Sequence, residues 1–110
     1  MAFIRRKSKA YPWPVEIKRP SETNAGEFET DKFTIKFKRL SKKELEAFGK
    51  ADEDKALEKI VVGWSDITEE DGTEIPFTKA TLKEFSEDID FVAGVVEAFQ
   101  AFYTKGKEGN

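Results

Sequence analysis

The side chains best suited to chemistry in this sequence are carboxylates, and they are densest in an acidic stretch after residue 65. The stretch reads Asp66-Ile67-Thr68-Glu69-Glu70-Asp71-Gly72, and its oxygen ligands suggest a calcium-binding loop. An EF-hand loop needs glycine at its sixth position and a bidentate glutamate at its twelfth. Counted from Asp66, those positions hold Asp71 and Phe77. The pattern fails, so we predict a solvated loop and no metal site.

Histidine and cysteine, which supply imidazole and thiol chemistry, do not occur in the chain. Catalytic triads with histidine, thiolate nucleophiles, disulfides and most zinc sites depend on them. The 22 acidic residues permit chance carboxylate pairs, so counting alone does not exclude a paired-carboxylate hydrolase. No pair lies in a recognisable setting, and no glycine-rich phosphate loop occurs. We therefore predict no catalytic residues, no cofactor and no enzymatic activity.

Positive charge is concentrated in residues 1–10, a basic N-terminal arm. Its candidate partner-binding residues are Arg5, Arg6 and Lys7. Cations bind phosphate, and Tyr11 and Trp13 beside the arm could stack on bases, so a nucleic-acid-binding accessory protein is one alternative. The whole chain is acidic, with a net charge of −3 and a pI of about 5.2. This negative net charge argues against a nucleic-acid-binding protein and favours a protein partner.

Charge is also divided between the two halves of the chain. Residues 1–50 carry 13 basic and 7 acidic side chains, a net charge of +6, whereas residues 51–110 carry 6 basic and 15 acidic ones, a net charge of −9. Such a dipole can steer a partner or favour head-to-tail self-association, so a homo-oligomer is a candidate assembly. The simpler alternative is that the halves neutralise each other within one fold.

Alternating apolar and charged residues predict two strands. Residues 15–19 alternate in this way and are followed by Pro20. Over residues 33–38, Phe33, Ile35 and Phe37 point to one face and lysines to the other. Turn-forming residues between these segments favour an antiparallel hairpin with a long connection.

Helix signals follow the second strand. Ser41 and Glu44 have the spacing of a capping box, which predicts a short helix that ends near Gly49. A second helix is predicted from about Asp52, with an apolar face that includes Val61, and with Gly63-Trp64 at its end.

Two further helices are predicted in the last third of the chain. Thr78 caps one of them, and the other begins near Asp88 or Asp90 and ends at Gly106. The last helix carries a wide apolar stripe, made of Phe91, Val92, Val95, Val96, Phe99, Phe102 and Tyr103. Such stripes usually belong to the core. A small two-stranded sheet cannot cover all of this one, however, so Phe99, Phe102 and Tyr103 are candidate partner-binding residues.

The order of these elements predicts an α+β fold, a small antiparallel β-hairpin or sheet followed by three to four helices packed on it. We expect a single domain over residues 11–104, between the basic arm and a flexible tail at residues 105–110. No signal-peptide pattern occurs, and no stretch approaches the roughly 20 apolar residues that a membrane span requires.

Five stretches of the sequence, taken in order, resemble one known family. They are Trp13-Pro14-Val15-Glu16-Ile17, Phe33-Thr34-Ile35-Lys36-Phe37-Lys38-Arg39-Leu40-Ser41, Val61-Val62-Gly63-Trp64-Ser65-Asp66-Ile67, Ile75-Pro76-Phe77-Thr78 and Val96-Glu97-Ala98-Phe99. In this order they resemble the tail assembly chaperones of long-tailed bacteriophages and prophages. The similarity covers nearly the whole chain, and the block from Gly63 to Phe77 contributes most to it.

The resemblance implies a non-catalytic protein that binds the tape measure protein, a long helical client, before the tail tube assembles around it. It implies action in the cytoplasm of the bacterial host and absence from the mature virion. Many such chaperones are also made in a frameshifted longer form that is thought to recruit the tail tube protein. Codons for residues 105–110 could include the slippery heptamer that such a form requires. A structural head–tail component of a phage is a second alternative.

Overall fold

The fold is that of a computed structural model, which describes residues 10–108 without the side chains of residues 53, 54 and 105–108. Its elements are β1 (Ala10–Pro20), β2 (Phe28–Lys38), α1 (Lys42–Lys50), α2 (Glu53–Ile60), β3 (Val61–Ser65), α3 (Lys79–Phe85) and α4 (Ile89–Glu108). The three strands form an antiparallel sheet in the order β1-β2-β3. The α+β class predicted from the sequence is therefore confirmed.

The β1–β2 hairpin is longer than the sequence predicted. Its register runs from Ala10 opposite Lys38 to Pro20 opposite Phe28, so both strands have 11 residues. Because Ala10 is the first residue of β1, the basic arm comprises only residues 1–9, which lie outside the described part of the chain. Gly26, whose φ is +80°, adopts the left-handed conformation in the connection between the strands.

A third strand replaces the predicted end of the second helix. Helix α2 ends at Ile60, and the next five residues pair with β2, with Trp64 opposite Ile35. The prediction that Val61 lies on the helix and that Gly63-Trp64 ends it is therefore wrong. Two valines and a tryptophan within five residues favour a strand when a partner edge is available, and β2 supplies that edge.

Both predicted capping residues are confirmed. The Ser41 side chain accepts a hydrogen bond from the Glu44 N–H, and Glu44 in turn accepts one from the Ser41 N–H. Helix α1 extends one residue beyond Gly49. Thr78 makes the equivalent reciprocal pair of bonds with Thr81 at the start of α3. These local bonds fix where the short helices begin, because they satisfy N–H groups that have no partner within the helix.

Helix α4 begins close to the predicted position but ends later. The Asp88 carboxylate accepts hydrogen bonds from the N–H groups of Asp90 and Phe91, and so caps the helix. The helix continues through Gly106 to Glu108, so the predicted stop at Gly106 is wrong, and residues 105–108 of the predicted tail are helical. One interior glycine costs only about 1 kcal/mol relative to alanine, which need not end a helix of this length.

Helix α4 packs against β1 at very short range. A β-carbon built on Gly94 would lie 2.8 Å from Cγ1 of Ile17 and 3.2 Å from the carbonyl oxygen of Glu16. The core between helices and sheet contains Val15, Ile17, Phe33, Ile35, Phe37, Leu57, Ile60, Val61, Leu82, Phe91, Val92, Val95, Phe99 and Phe102. Among the described residues, no helix has both the length and the apolar character needed to cross a membrane.

Candidate protein-binding groove

The predicted partner-binding residues of α4 lie in an aromatic cluster between the helix and the sheet. Phe99 and Phe102 are buried, and Phe102 packs against Trp13 and Phe37 with ring centroids 5.5 and 5.6 Å apart. Phe37 in turn packs edge-on to Phe99 at 5.3 Å. These two α4 rings therefore belong to the core and are not accessible to a partner in this structure.

Tyr103 is half-buried, and both its ring and its hydroxyl have partners within the chain. The hydroxyl donates to the carbonyl oxygen of Leu40 at 2.9 Å and accepts a bond from the Leu40 N–H. The Arg39 guanidinium carbon lies 4.6 Å from the centre of the Tyr103 ring. The sequence overestimated the exposed part of the stripe because it predicted a sheet without β3 and without residues 11–14.

The other three predicted partner-binding residues, Arg5, Arg6 and Lys7, lie outside the described residues. Two lysines that would extend a nucleic-acid surface beyond the arm, Lys36 and Lys38, alternate on β2 with the buried Ile35 and Phe37. Lys38 Nζ lies 2.6 Å from Glu44 Oε2, so its charge is paired within the protein.

A groove of about 890 Å³ lies at the end of the sheet where β1 and β2 approach their connection. Its apolar lining consists of Ile17, Phe33, Ile67, Ile75, Phe85 and Phe91. Of these, Ile67, Ile75 and Phe85 are only partly buried, so they offer apolar surface to a ligand. Phe85 stacks on Phe91 with ring centroids 5.2 Å apart, which joins the floor of the groove to the core.

The rim of this groove is predominantly acidic. Its acidic side chains are Asp31, Asp66, Glu69, Glu70 and Asp71, against Arg19 and Lys32. Hydrogen bonds from the backbone N–H and the side chain of Thr73 hold the pKa of the Asp71 carboxyl below its usual value, so it is ionised at neutral pH. A concave surface with an apolar floor and an acidic rim suits a basic amphipathic segment.

The acidic stretch forms a hydrogen-bonded hairpin. Thr68 pairs with Glu74, the Ile75 N–H donates to the Ile67 carbonyl at 2.9 Å, and the Glu69 N–H donates to Thr73. The sequence predicted a solvated loop here. The structure keeps its acidic side chains exposed but fixes its backbone.

Two backbone conformations allow the sharp turns at the ends of this hairpin. Gly72 has φ +90° at the tip, and Asp66 has φ +66° directly after β3. Aspartate is among the residues that tolerate this left-handed region best. The hairpin can therefore leave β3 at an angle that brings Ile67 and Ile75 to the groove.

Trp64 holds the hairpin against the body of the protein. Its indole Nε1 donates to the Ile75 carbonyl oxygen at 2.8 Å. Its ring makes edge-on contacts with Phe77 and Phe85, at centroid distances of 5.0 and 5.3 Å. One side chain thus joins β3, the hairpin and α3, and it positions one wall of the groove before any ligand binds.

The opposite wall, formed by β1 and β2, has its cations already paired. Arg19 lies 3.1 Å from Asp88 and 3.8 Å from Asp31, and Lys32 lies 3.7 Å from Glu16. Among the described side chains, none of the hairpin carboxylates makes an ion pair. Their negative charge is therefore available to a ligand.

A metal function for these carboxylates finds no support in their placement. Among the acidic side chains that the structure describes, no three are grouped closely enough to hold a metal ion. The sequence identified four of the five acidic residues of the rim, all except Asp31, but it missed the groove. The signal in the sequence that could have indicated the groove is the pair Ile67 and Ile75. These two apolar residues lie on either side of the Asp71-Gly72 turn.

The chain matched no protein-family model, no curated protein and no solved structure.

Proposed function

We propose that this protein is a non-catalytic phage tail assembly chaperone, which binds the tape measure protein through the groove. The observation that carries the proposal is the groove itself, with its half-buried floor of Ile67, Ile75 and Phe85 beneath an acidic rim. A helical client would place an apolar side of one segment on this floor, and basic side chains of that segment would meet the rim.

The family resemblance also supports the groove as the binding site for the client. Its most informative block runs from Gly63 to Phe77, and this block contains Trp64, both hairpin isoleucines and four of the five rim carboxylates. The stretch that most resembles a tail assembly chaperone is therefore the stretch that builds the wall of the groove. In this proposal the protein acts in the cytoplasm of the bacterial host and is absent from the mature virion. A frameshifted longer form would recruit the tail tube protein.

Co-expression with the tape measure protein tests the proposal. We expect the tape measure protein to be insoluble alone, and to become soluble and co-purify when the chain is present. The double variant Glu69→Lys/Glu70→Lys reverses the rim charge and should abolish this effect. Both side chains are exposed, and Glu69 takes part in the hairpin bonds through its backbone groups.

The matched control is Glu46→Lys/Glu58→Lys, which makes the same charge change at exposed positions on α1 and α2. It should leave the solubility of the client unchanged. The proposal is wrong if the tape measure protein is equally insoluble with and without the chain. If both double variants keep the tape measure protein as soluble as the wild-type chain does, the client binds elsewhere and the groove is not its site.

A further inference from the structure

Strand β2 is paired along only part of the edge that faces β3. All 11 residues of β2 pair with β1, but β3 pairs only with residues 34–37. Asp66, with φ +66°, turns the chain away directly after β3. Among the described residues, no strand pairs with residues 28–33 of β2 on the side where β3 would continue. This open edge lies along one wall of the groove.

The pairing of β1 with β2 determines which backbone groups point to the open edge. In an antiparallel pair, residues that exchange hydrogen bonds alternate with residues that do not. Just beyond the strands, the Ser21 N–H donates to the Glu27 carbonyl oxygen at 2.8 Å, so the odd-numbered residues of the two strands bond to each other. Thr30 and Lys32 are even-numbered. Their N–H and carbonyl groups therefore point away from β1, to the edge that lines the groove.

The opposite edge of the sheet is closed to a further strand. It is formed by β1, where Pro12, Pro14 and Pro20 occupy even-numbered positions whose nitrogen faces away from β2. Proline has no N–H to donate, so these residues oppose the addition of a strand. The open edge of β2 contains no proline and is exposed over residues 28–32. Because proteins usually block a strand edge that has no partner, this difference indicates that the open edge has one.

The groove beside the open edge can receive the side chains of an added strand. Such a strand would lie about 4.8 Å from β2, and its side chains would alternate between the two faces of the sheet. Those on the buried face would reach the half-buried floor of Ile67, Ile75 and Phe85. Among the described side chains, the carboxylates of the hairpin make no ion pair. Cations in the added strand would therefore meet unpaired negative charge.

We propose that the groove binds an extended basic segment, which adds a fourth strand to the sheet along residues 28–32 of β2. The main chain of the segment bonds to the N–H and carbonyl groups of Thr30 and Lys32, apolar side chains at alternate positions contact the floor, and cations contact the rim. This inference rests on the proposed function, because it assigns an extended conformation to the client segment that the groove holds. The rest of the client can remain helical.

Two synthetic peptides of the same composition test the conformation of the bound segment. In one, isoleucine and lysine alternate as in a strand, and in the other they follow the period of an amphipathic helix. Calorimetry with the full-length chain should show that the alternating peptide binds about tenfold more tightly or better, because only an extended main chain can bond to the edge of β2. The variant Glu69→Lys/Glu70→Lys should weaken this binding, and Glu46→Lys/Glu58→Lys should not.

Methylation of the peptide nitrogens tests the main-chain bonds themselves. In an added strand, the N–H groups of alternate residues point to β2 and the others point away. Two versions of the alternating peptide, N-methylated on every isoleucine or on every lysine, should therefore differ. One should bind about tenfold more weakly than the unmodified peptide or worse, and the other should bind like it.

Two proline substitutions provide the matched test on the protein. Thr30→Pro removes an N–H from the open edge, whereas Lys18→Pro, directly opposite in the register, removes one from the closed edge of β1. Neither N–H bonds to the neighbouring strand, and both side chains are exposed. Thr30→Pro should weaken binding of the alternating peptide, and Lys18→Pro should leave it unchanged. Circular dichroism establishes that both variants are folded, and the methylated peptides decide the question without either variant.

Three results would overturn the inference. They are equal or tighter binding of the helix-patterned peptide, equal binding of the two methylated peptides, and equal binding by the two folded proline variants. None of these results decides the proposed function, which co-expression with the tape measure protein tests separately. A chain that keeps its client soluble but prefers the helix-patterned peptide holds the client as a helix, and then only the added strand is wrong.

Discussion

The hydroxyl of Tyr103 binds both backbone groups of Leu40, donating to the carbonyl oxygen at 2.9 Å and accepting from the N–H. These two residues are 63 positions apart, and the contact fastens the C-terminal part of α4 to the link between β2 and α1. Tyr103, which the sequence analysis predicted to bind a partner, therefore stabilises a contact within the fold.

Removing this hydroxyl should destabilise the protein. We expect Tyr103→Phe to lower the free energy of unfolding by about 1–2 kcal/mol, because two partly buried backbone groups lose their partner. The neighbouring Phe102→Ala should cost about 3–5 kcal/mol, as for other buried phenylalanines. Urea unfolding measures both. A Tyr103→Phe protein as stable as the wild type would show that the bonds to Leu40 contribute nothing net.

Two helical glycines should respond in opposite ways to alanine. Gly94→Ala places a methyl group 2.8 Å from Ile17 Cγ1 and 3.2 Å from the Glu16 carbonyl oxygen, and should destabilise the protein by forcing α4 away from β1. Gly49→Ala meets nothing within 4 Å. It should stabilise the protein by up to about 1 kcal/mol through helix propensity. Thermal unfolding of both variants measures these changes. A gain in stability at both positions would contradict the close packing of α4 against β1 at Gly94.

The stability contributed by Glu44 should depend on pH in a defined window. The hydrogen bond from Lys38, followed by those from the Ser41 backbone and side chain, lowers the pKa of Glu44 from 4.5 to about 2. Because the folded-state pKa is the lower one, this contribution is complete above about pH 5 and is lost as pH falls toward 2. The difference in stability between wild type and Glu44→Gln should therefore be largest near neutral pH and reach its minimum below pH 2. A constant difference would contradict this prediction.

The indole of Trp64 should control the hairpin at the groove. Trp64→Phe keeps an aromatic ring but loses the 2.8 Å bond to the Ile75 carbonyl. Amide hydrogen exchange at Ile75 and Glu69 should become faster, because both N–H groups bond within the hairpin. Trp13→Phe, in the separate cluster around Phe102, is the matched control and should leave these amides unchanged. Equal effects of the two substitutions would mean that Trp64 does not hold the hairpin.

Local signals in the sequence were enough to predict most elements of the fold. Ser41 with Glu44, and Thr78, determine helix starts through bonds that span three residues, so no knowledge of the rest of the chain is needed. The alternation of Phe33, Ile35 and Phe37 likewise predicts the buried face of β2. Strand β3 was missed because a short apolar run after a helix fits either a further helical turn or a strand. Its pairing with β2 is a tertiary contact.

The groove could not be predicted for the same reason. Ile67 and Ile75 are isolated apolar residues in a charged stretch, and Phe85 lies at the end of a seven-residue helix. They face one groove only because β3 pairs with β2 and because Trp64 holds the hairpin against α3. The acidic rim, by contrast, can be read directly from residues 66–71, since exposed charge requires no partner to place it.

Hydrogen exchange on the chain co-purified with the tape measure protein tests the central claim most directly. The account predicts that the client slows exchange at residues 66–75, and at residues 30–33 on the opposite wall of the groove. Exchange in α1, which does not line the groove, should be the same with and without the client. A complex in which residues 66–75 exchange as fast as in the free chain would contradict the claim that this protein acts by holding a client in the groove.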